Sequence, residues 1–278
     1  MVARLSLSGA AVIAALLVPG CSSGEPEPKV TATYEGASSG SAIVGRSLMK
    51  RAHLLENLAE KTNKTLKLPF DIALLGAQCD APNAFWNFAE KKITLCYEDA
   101  DLSLRNFKAI GDPDPIPAAL NATRATYYHE LAHAAIDFGA LPITGREEDA
   151  ADQLVVFLLL APDENGNVEP GAEEAVLDYA RMFDHYDEGS KDHLEVDFAS
   201  RHPSNHSRMY NMLCWTYGSD PAKHDHFVTG DVESKISADR PNLAEWTLPE
   251  SRAKTCADEY AMMARSWAQL LAPHSKSE

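Results

Sequence analysis

The feature that most constrains this chain is a five-residue run, His129-Glu130-Leu131-Ala132-His133, inside a stretch whose start and stop are both written in the sequence. Prolines at 115 and 117 suit the first turn of a helix, and Gly139 suits its end. The pattern predicts a helix over 116–138. Residues four apart on a helix share one face, with Cβ atoms about 5–6 Å apart. Two imidazoles so placed can both reach one ion at a Zn–N length of about 2.0–2.1 Å. Glu130 sits beside the first imidazole, where its carboxylate reaches a water on that ion rather than the ion itself. The spacing therefore separates two ligands, His129 and His133, from one base, Glu130.

A second helix is predicted close behind, over 144–160, opened by Thr144 with Glu147 three residues on in a capping-box pattern. A catalytic zinc takes three protein ligands and keeps one open position, and two histidines with one glutamate are a known solution. Glu147, Glu148 and Asp149 compete for the third place. The capping box occupies Glu147, and Glu148 has Asp152 four residues later on its own face, where Asp152 can orient a ligand histidine through its second nitrogen. Glu148 is thus the expected third ligand and Asp152 its supporting residue. The competing reading is a solvated acidic first turn favoured by the helix dipole.

Around this pair the pattern gives helices at 42–62, 173–183, 207–216 and 252–271. Strands are expected at 66–78 and 93–97, with polar turns at 83–84 and 87–92. The strand at 93–97 is expected either at the sheet edge above the metal, where an extended peptide could add as another strand, or in a structural hairpin with no substrate role. His224-Asp225-His226 alternate on a polar loop and read as solvent-exposed rather than as a second metal site.

The N-terminal 1–20 segment has Arg4, a short apolar run and Val18-Pro19-Gly20-Cys21, the layout of a lipoprotein-type signal with Cys21 as the lipidated residue. The run is shorter than the about 20 residues a transmembrane helix needs. Residues 21–41, mostly Ser, Gly, Pro, Glu and Thr, read as a flexible tether. The folded domain is expected over 42–272, with a tail at 273–278. Setting Cys21 aside leaves Cys79, Cys96, Cys214 and Cys256, an even number that suits an oxidising compartment. Pairing 79 with 96 and 214 with 256 encloses local segments. The net charge of −16 argues against a nucleic-acid partner, and a membrane is met only through the lipid anchor. Gly-x-Ser-x-Gly occurs only in the Ser- and Gly-rich stretch, at 20–24 and 36–40, and is not read there as the elbow of a serine nucleophile.

The His-Glu-x-x-His run followed by Glu148, Ala151 and Asp152 resembles the gluzincin metallopeptidases, and the span 129–162 is similar to the core of the ImmA/IrrE-type metallopeptidases. More closely, the chain resembles an uncharacterised family of bacterial metallopeptidases. That likeness runs through Cys79 with Asn83-Ala84-Phe85, Ile93 to Glu98, Gly145 to Gln153, Arg208-Met209-Tyr210-Asn211 and Tyr217 to Pro221. The resemblance implies an α+β, zincin-like domain, helix-rich with a small sheet, Zn²⁺ as cofactor and a peptide or protein as substrate. It also points to His202, Arg208 and Tyr210 as donors for the oxyanion. The expected setting is a bacterial cell envelope with a lipid anchor, or a secreted or periplasmic soluble form. Two rival readings share the metal site: a zinc-binding lipoprotein without turnover, and a zinc amidase acting on cell-wall or small-molecule amides.

Overall fold

In the computed structural model the described residues are 26–163, 165–186, 200–229 and 247–276, so the signal segment and Cys21 lie outside them. Four strands, β1 (Val30–Tyr34), β2 (Ile72–Ala77), β3 (Ala84–Asn87) and β4 (Lys92–Cys96), form a mixed sheet in the order β1-β2-β4-β3. β1, β2 and β4 run parallel and β3 runs antiparallel to β4. The helices are α1 (Gly40–Arg51), α2 (Leu54–Thr65), α3 (Tyr97–Ala109), α4 (Pro115–Gly139), α5 (Glu147–Leu160), α6 (Ala172–Tyr186), α7 (Asn205–Ser219) and α8 (Glu250–Leu271). A two-residue ladder pairs Val228–Thr229 with Leu248–Pro249. The class is the expected one, α+β, helix-rich with a small sheet. Among the described residues no helix is long and apolar enough to cross a membrane.

The centre is α4. It starts with Pro115 at its first position, and alanines at 118, 119, 122, 125, 132 and 135 are buried, so neighbouring elements approach closely on several faces. Tyr127 spends its buried hydroxyl on Thr62 of α2, 2.8 Å away. The Trp86 indole on β3 donates to Asp137 of α4 at 2.7 Å. α4 is thereby tied to both α2 and the sheet edge, which fixes its histidine turn against β3.

Several local expectations are corrected. Val30–Tyr34, assigned to the tether on composition, is an edge strand that buries Val30 and exposes alternate threonines. The Asn63 side chain holds the Val30 N–H at 2.7 Å and its carbonyl at 2.9 Å. The single helix expected at 42–62 is two helices, broken where His53 takes a left-handed φ of 50°. The strand expected from residue 66 begins only at Ile72. β4 is an interior strand, and the edge beyond it belongs to β3, whose two end residues fall in the expected turns. α3 was not foreseen. The residues expected as a tail pack back, with Ser275 bridging to Leu66.

The two disulfides link Cys79 with Cys96 and Cys214 with Cys256. The first ties the end of β2 to the end of β4. Beside it the buried Glu98 carboxylate accepts the Cys79 and Asp80 backbone N–H groups at 3.1 and 3.0 Å, which holds the chain entering β3. The second pins α8 to α7.

Candidate metal centre

α4 ends with Ala140 in the left-handed region at φ 43° rather than with its glycine, and the chain returns through Gly145 at φ +102°, a conformation that favours glycine. It enters α5 at Arg146, whose side chain makes no cap bond. The expected capping box is therefore absent. Glu147 instead reaches across to α4 and places Oε1 2.6 Å from His133 Nδ1.

The neighbouring Glu148 points into the interior, only 5% exposed. Its Oε2 lies 3.1 Å from His129 Nε2 and 3.3 Å from His133 Nε2, and the two Nε2 atoms are 3.2 Å apart. One turn along α5, Asp152 Oδ1 sits 2.9 Å from His129 Nδ1. Each imidazole thus has a carboxylate behind it at Nδ1. With the ring protons donated there, both Nε2 atoms present lone pairs to the same point as the Glu148 oxygen. Three acceptors at such separations call for positive charge between them, from a proton or a metal ion. Ligand atoms about 2.0–2.1 Å from a tetrahedral ion lie about 3.3 Å from one another, so the three donors fit such an ion. Among the described residues His129, His133 and Glu148 are the one group of this kind.

The support behind the site is buried. Arg208 of α7 grips Asp152 with Nε at 2.7 Å and Nη2 at 2.6 Å, and Nη2 also donates to the Tyr179 hydroxyl at 3.1 Å. Its guanidinium lies 4.0 Å from the Phe183 ring centroid. Burial raises the Asp152 pKa, but the Arg208 charge and the His129 and Arg208 hydrogen bonds prevail and lower it to about 2. Burial opposes charge on His129, yet the bonds to Asp152 and Glu148 hold it up at about 9. Burial likewise raises Glu148, and hydrogen bonds from His129, His133 and His202 more than reverse this, holding it well below the carboxylate range. The surroundings favour positive charge where the three donors meet.

Glu130 is buried next to this point, and its pKa is raised, chiefly by burial, against lowering by the two histidines and by a hydrogen bond from the Trp86 backbone. A cavity of about 500 Å³ opens onto His129 and Glu130, with Ala84, Phe183, His202 and Arg208 among its walls. Of the residues expected as oxyanion donors, His202 stands at the rim, its half-exposed ring 2.9 Å from Glu148 Oε2. Arg208 has two of its nitrogens turned onto Asp152. Tyr210, on the same helix, packs against the hydrophobic core and does not line the cavity. His224, expected in solvent, is buried and stacks on Phe227.

Sequence reasoning missed Glu147 as a histidine partner, because Thr144 three residues before it satisfied a capping rule equally well. Comparison with known proteins adds one finding. A family described as "Putative metallopeptidase" matches residues 34–271, so the chain belongs to that family. No curated protein and no solved structure matches significantly.

Proposed function

We propose, with membership of that metallopeptidase family as the premise, that the chain hydrolyses peptide bonds with a zinc ion held by His129, His133 and Glu148. The observation that carries this reading is the meeting of three potential ligand atoms, from His129, His133 and Glu148, beside a buried glutamate and on the wall of a cleft. A His₂Glu set matches catalytic zinc, whereas magnesium and calcium seek oxygen ligands. When bound, the ion would supply Lewis acidity, bringing a water's pKa down to about 7 and polarising the scissile carbonyl.

Glu130 would accept a proton from the attacking water at its carboxylate and pass it to the departing amine nitrogen. Burial raises Glu130, which brings its proton affinity closer to the working pH and suits a group that must both take and return a proton. His202, at the rim of the cleft, is the proposed donor to the developing oxyanion. Arg208 acts through Asp152 and positions His129. β3, the edge strand next to α4, borders the cleft through Ala84 and offers its backbone to an extended substrate. Export and lipidation at Cys21 remain part of the proposal.

The test is Glu130→Gln in the purified protein, assayed for metal content and for cleavage of a peptide library and of muropeptides. Metal should stay at one equivalent while peptide cleavage falls by about 10²–10⁴-fold, the usual contribution of a positioned acid–base group. Unchanged turnover removes Glu130 from the mechanism. Cleavage of muropeptides alone favours the amidase reading.

A further inference from the structure

The two ligand histidines are held from behind by different means. His129 leans on Asp152, which is buried and neutralised by a two-pronged Arg208. His133 leans on Glu147, whose side chain is 36% exposed and has His133 as its ion-pair partner. We propose that Glu147 is a positioning residue for the metal: its carboxylate accepts the Nδ1 proton of His133 and so fixes the tautomer and ring plane that aim Nε2 at the shared point.

The inference rests on the zinc reading above, but its evidence is the geometry of α5. Glu147 and Glu148 are consecutive at the start of that helix, one reaching the back of His133 and the other its front. The imidazole is thereby gripped at both nitrogens by a single turn of helix. No cap bond competes for Glu147, since Arg146 at the cap position makes none and the helix start is left to other partners. At 2.6 Å the contact is at the short end of hydrogen bonds to a charged acceptor and below the about 2.7–3.2 Å of a neutral N–H···O bond. A ligand histidine without such a partner is free to rotate and to exchange tautomers, and loss of an outer partner typically weakens metal binding by about 10–100-fold.

The experiment compares full-length Glu147→Leu and Glu147→Gln with wild type, measuring Zn²⁺ affinity by chelator competition and, separately, thermal unfolding of each protein in excess chelator. Gln keeps an acceptor oxygen on the same stem and removes the charge, whereas Leu removes both. The expected result is a loss of about 10–100-fold in Zn²⁺ affinity for Leu, and affinity within about threefold of wild type for Gln. Unfolding of the metal-free Leu and Gln proteins should coincide, which separates positioning from a structural role. Leu binding Zn²⁺ like wild type overturns the proposal, as does Gln failing as badly as Leu, which would assign the effect to charge alone. Wild-type protein that takes up no Zn²⁺ would instead defeat the zinc reading itself.

Discussion

Replacing Arg208 with methionine should expose how much of this fold depends on one buried ion pair. Asp152 is 2% exposed, and its two oxygens take bonds from Arg208 at 2.7 and 2.6 Å. Methionine keeps apolar contact with Phe183 but leaves Asp152 with only the His129 imidazole. Breaking a buried pair from one side costs about 3–5 kcal/mol, because the remaining charge has lost its partner. For a domain of this size that corresponds to a fall in melting temperature of about 6–20 °C. Asp152 titrates at about 2, below the ordinary 3.8, so its stabilising contribution is present above about pH 4 and is lost as pH falls through 2. Without Arg208, burial pushes Asp152 upward, and protonation then relieves the orphaned charge. The penalty should therefore shrink as the pH is lowered from 7 towards 5. Urea and thermal unfolding in excess chelator, on Arg208→Met, Asp152→Leu and the double variant, read the effect. The double variant should be more stable than the sum of the single losses predicts, since it buries no unpaired charge. A single-variant cost below about 1 kcal/mol, or strict additivity, refutes the argument.

In the metal-free protein the raised His129, at about 9 against an ordinary 6.5, contributes stability that is complete below about pH 6.5 and disappears as pH rises through 9. Protons and metal compete for the same nitrogens, so Zn²⁺ affinity measured by competition at pH 6 should be at least about tenfold weaker than at pH 8; equal affinities contradict the site. Gly45→Ala should destabilise the protein by about 1–3 kcal/mol in urea titrations, because an added Cβ would sit 1.8 Å from the Tyr97 carbonyl oxygen where α1 crosses α3. Joint replacement of Cys214 and Cys256 by serine, which opens a link spanning 42 residues, should cost about 4 kcal/mol on the chain-entropy estimate.

The legible parts of the sequence were those where one local rule had no rival. The histidine pair four apart, the prolines ahead of it and the apolar run of α5 each point one way, and the structure places His129 and His133 together on α4 with Glu148 and Asp152 of α5 beside them. The illegible parts carried two rules at once. Thr144 and Glu147 spell a capping box, and only the tertiary approach of α4 decides that Glu147 turns to His133. α3 was hidden because its inward positions include Glu98, Asp99 and Asp101, so its periodicity looks polar until the partners of those acids are known. β1 was hidden in a Ser- and Gly-rich stretch, since a strand exposing every second residue carries little apolar signal. β3 was too short to stand out from its turns.

Two of these misses share a cause that bears on how the site works. Glu98 holding the β2–β3 connection and Glu147 behind His133 are, like the foreseen Asp152 behind His129, carboxylates whose meaning is set by a distant partner, and each fixes a part of the site's surroundings. Glu130, Glu147, Glu148 and Asp152 crowd about two imidazoles, with Arg208 bonded to Asp152 alone of the four. Such a cluster is stable only with added positive charge, from protons on the histidines or from an ion between them. Because α5 supplies three of the four acids, whatever provides that charge also fastens α5 to α4, and ligand binding is linked to folding stability.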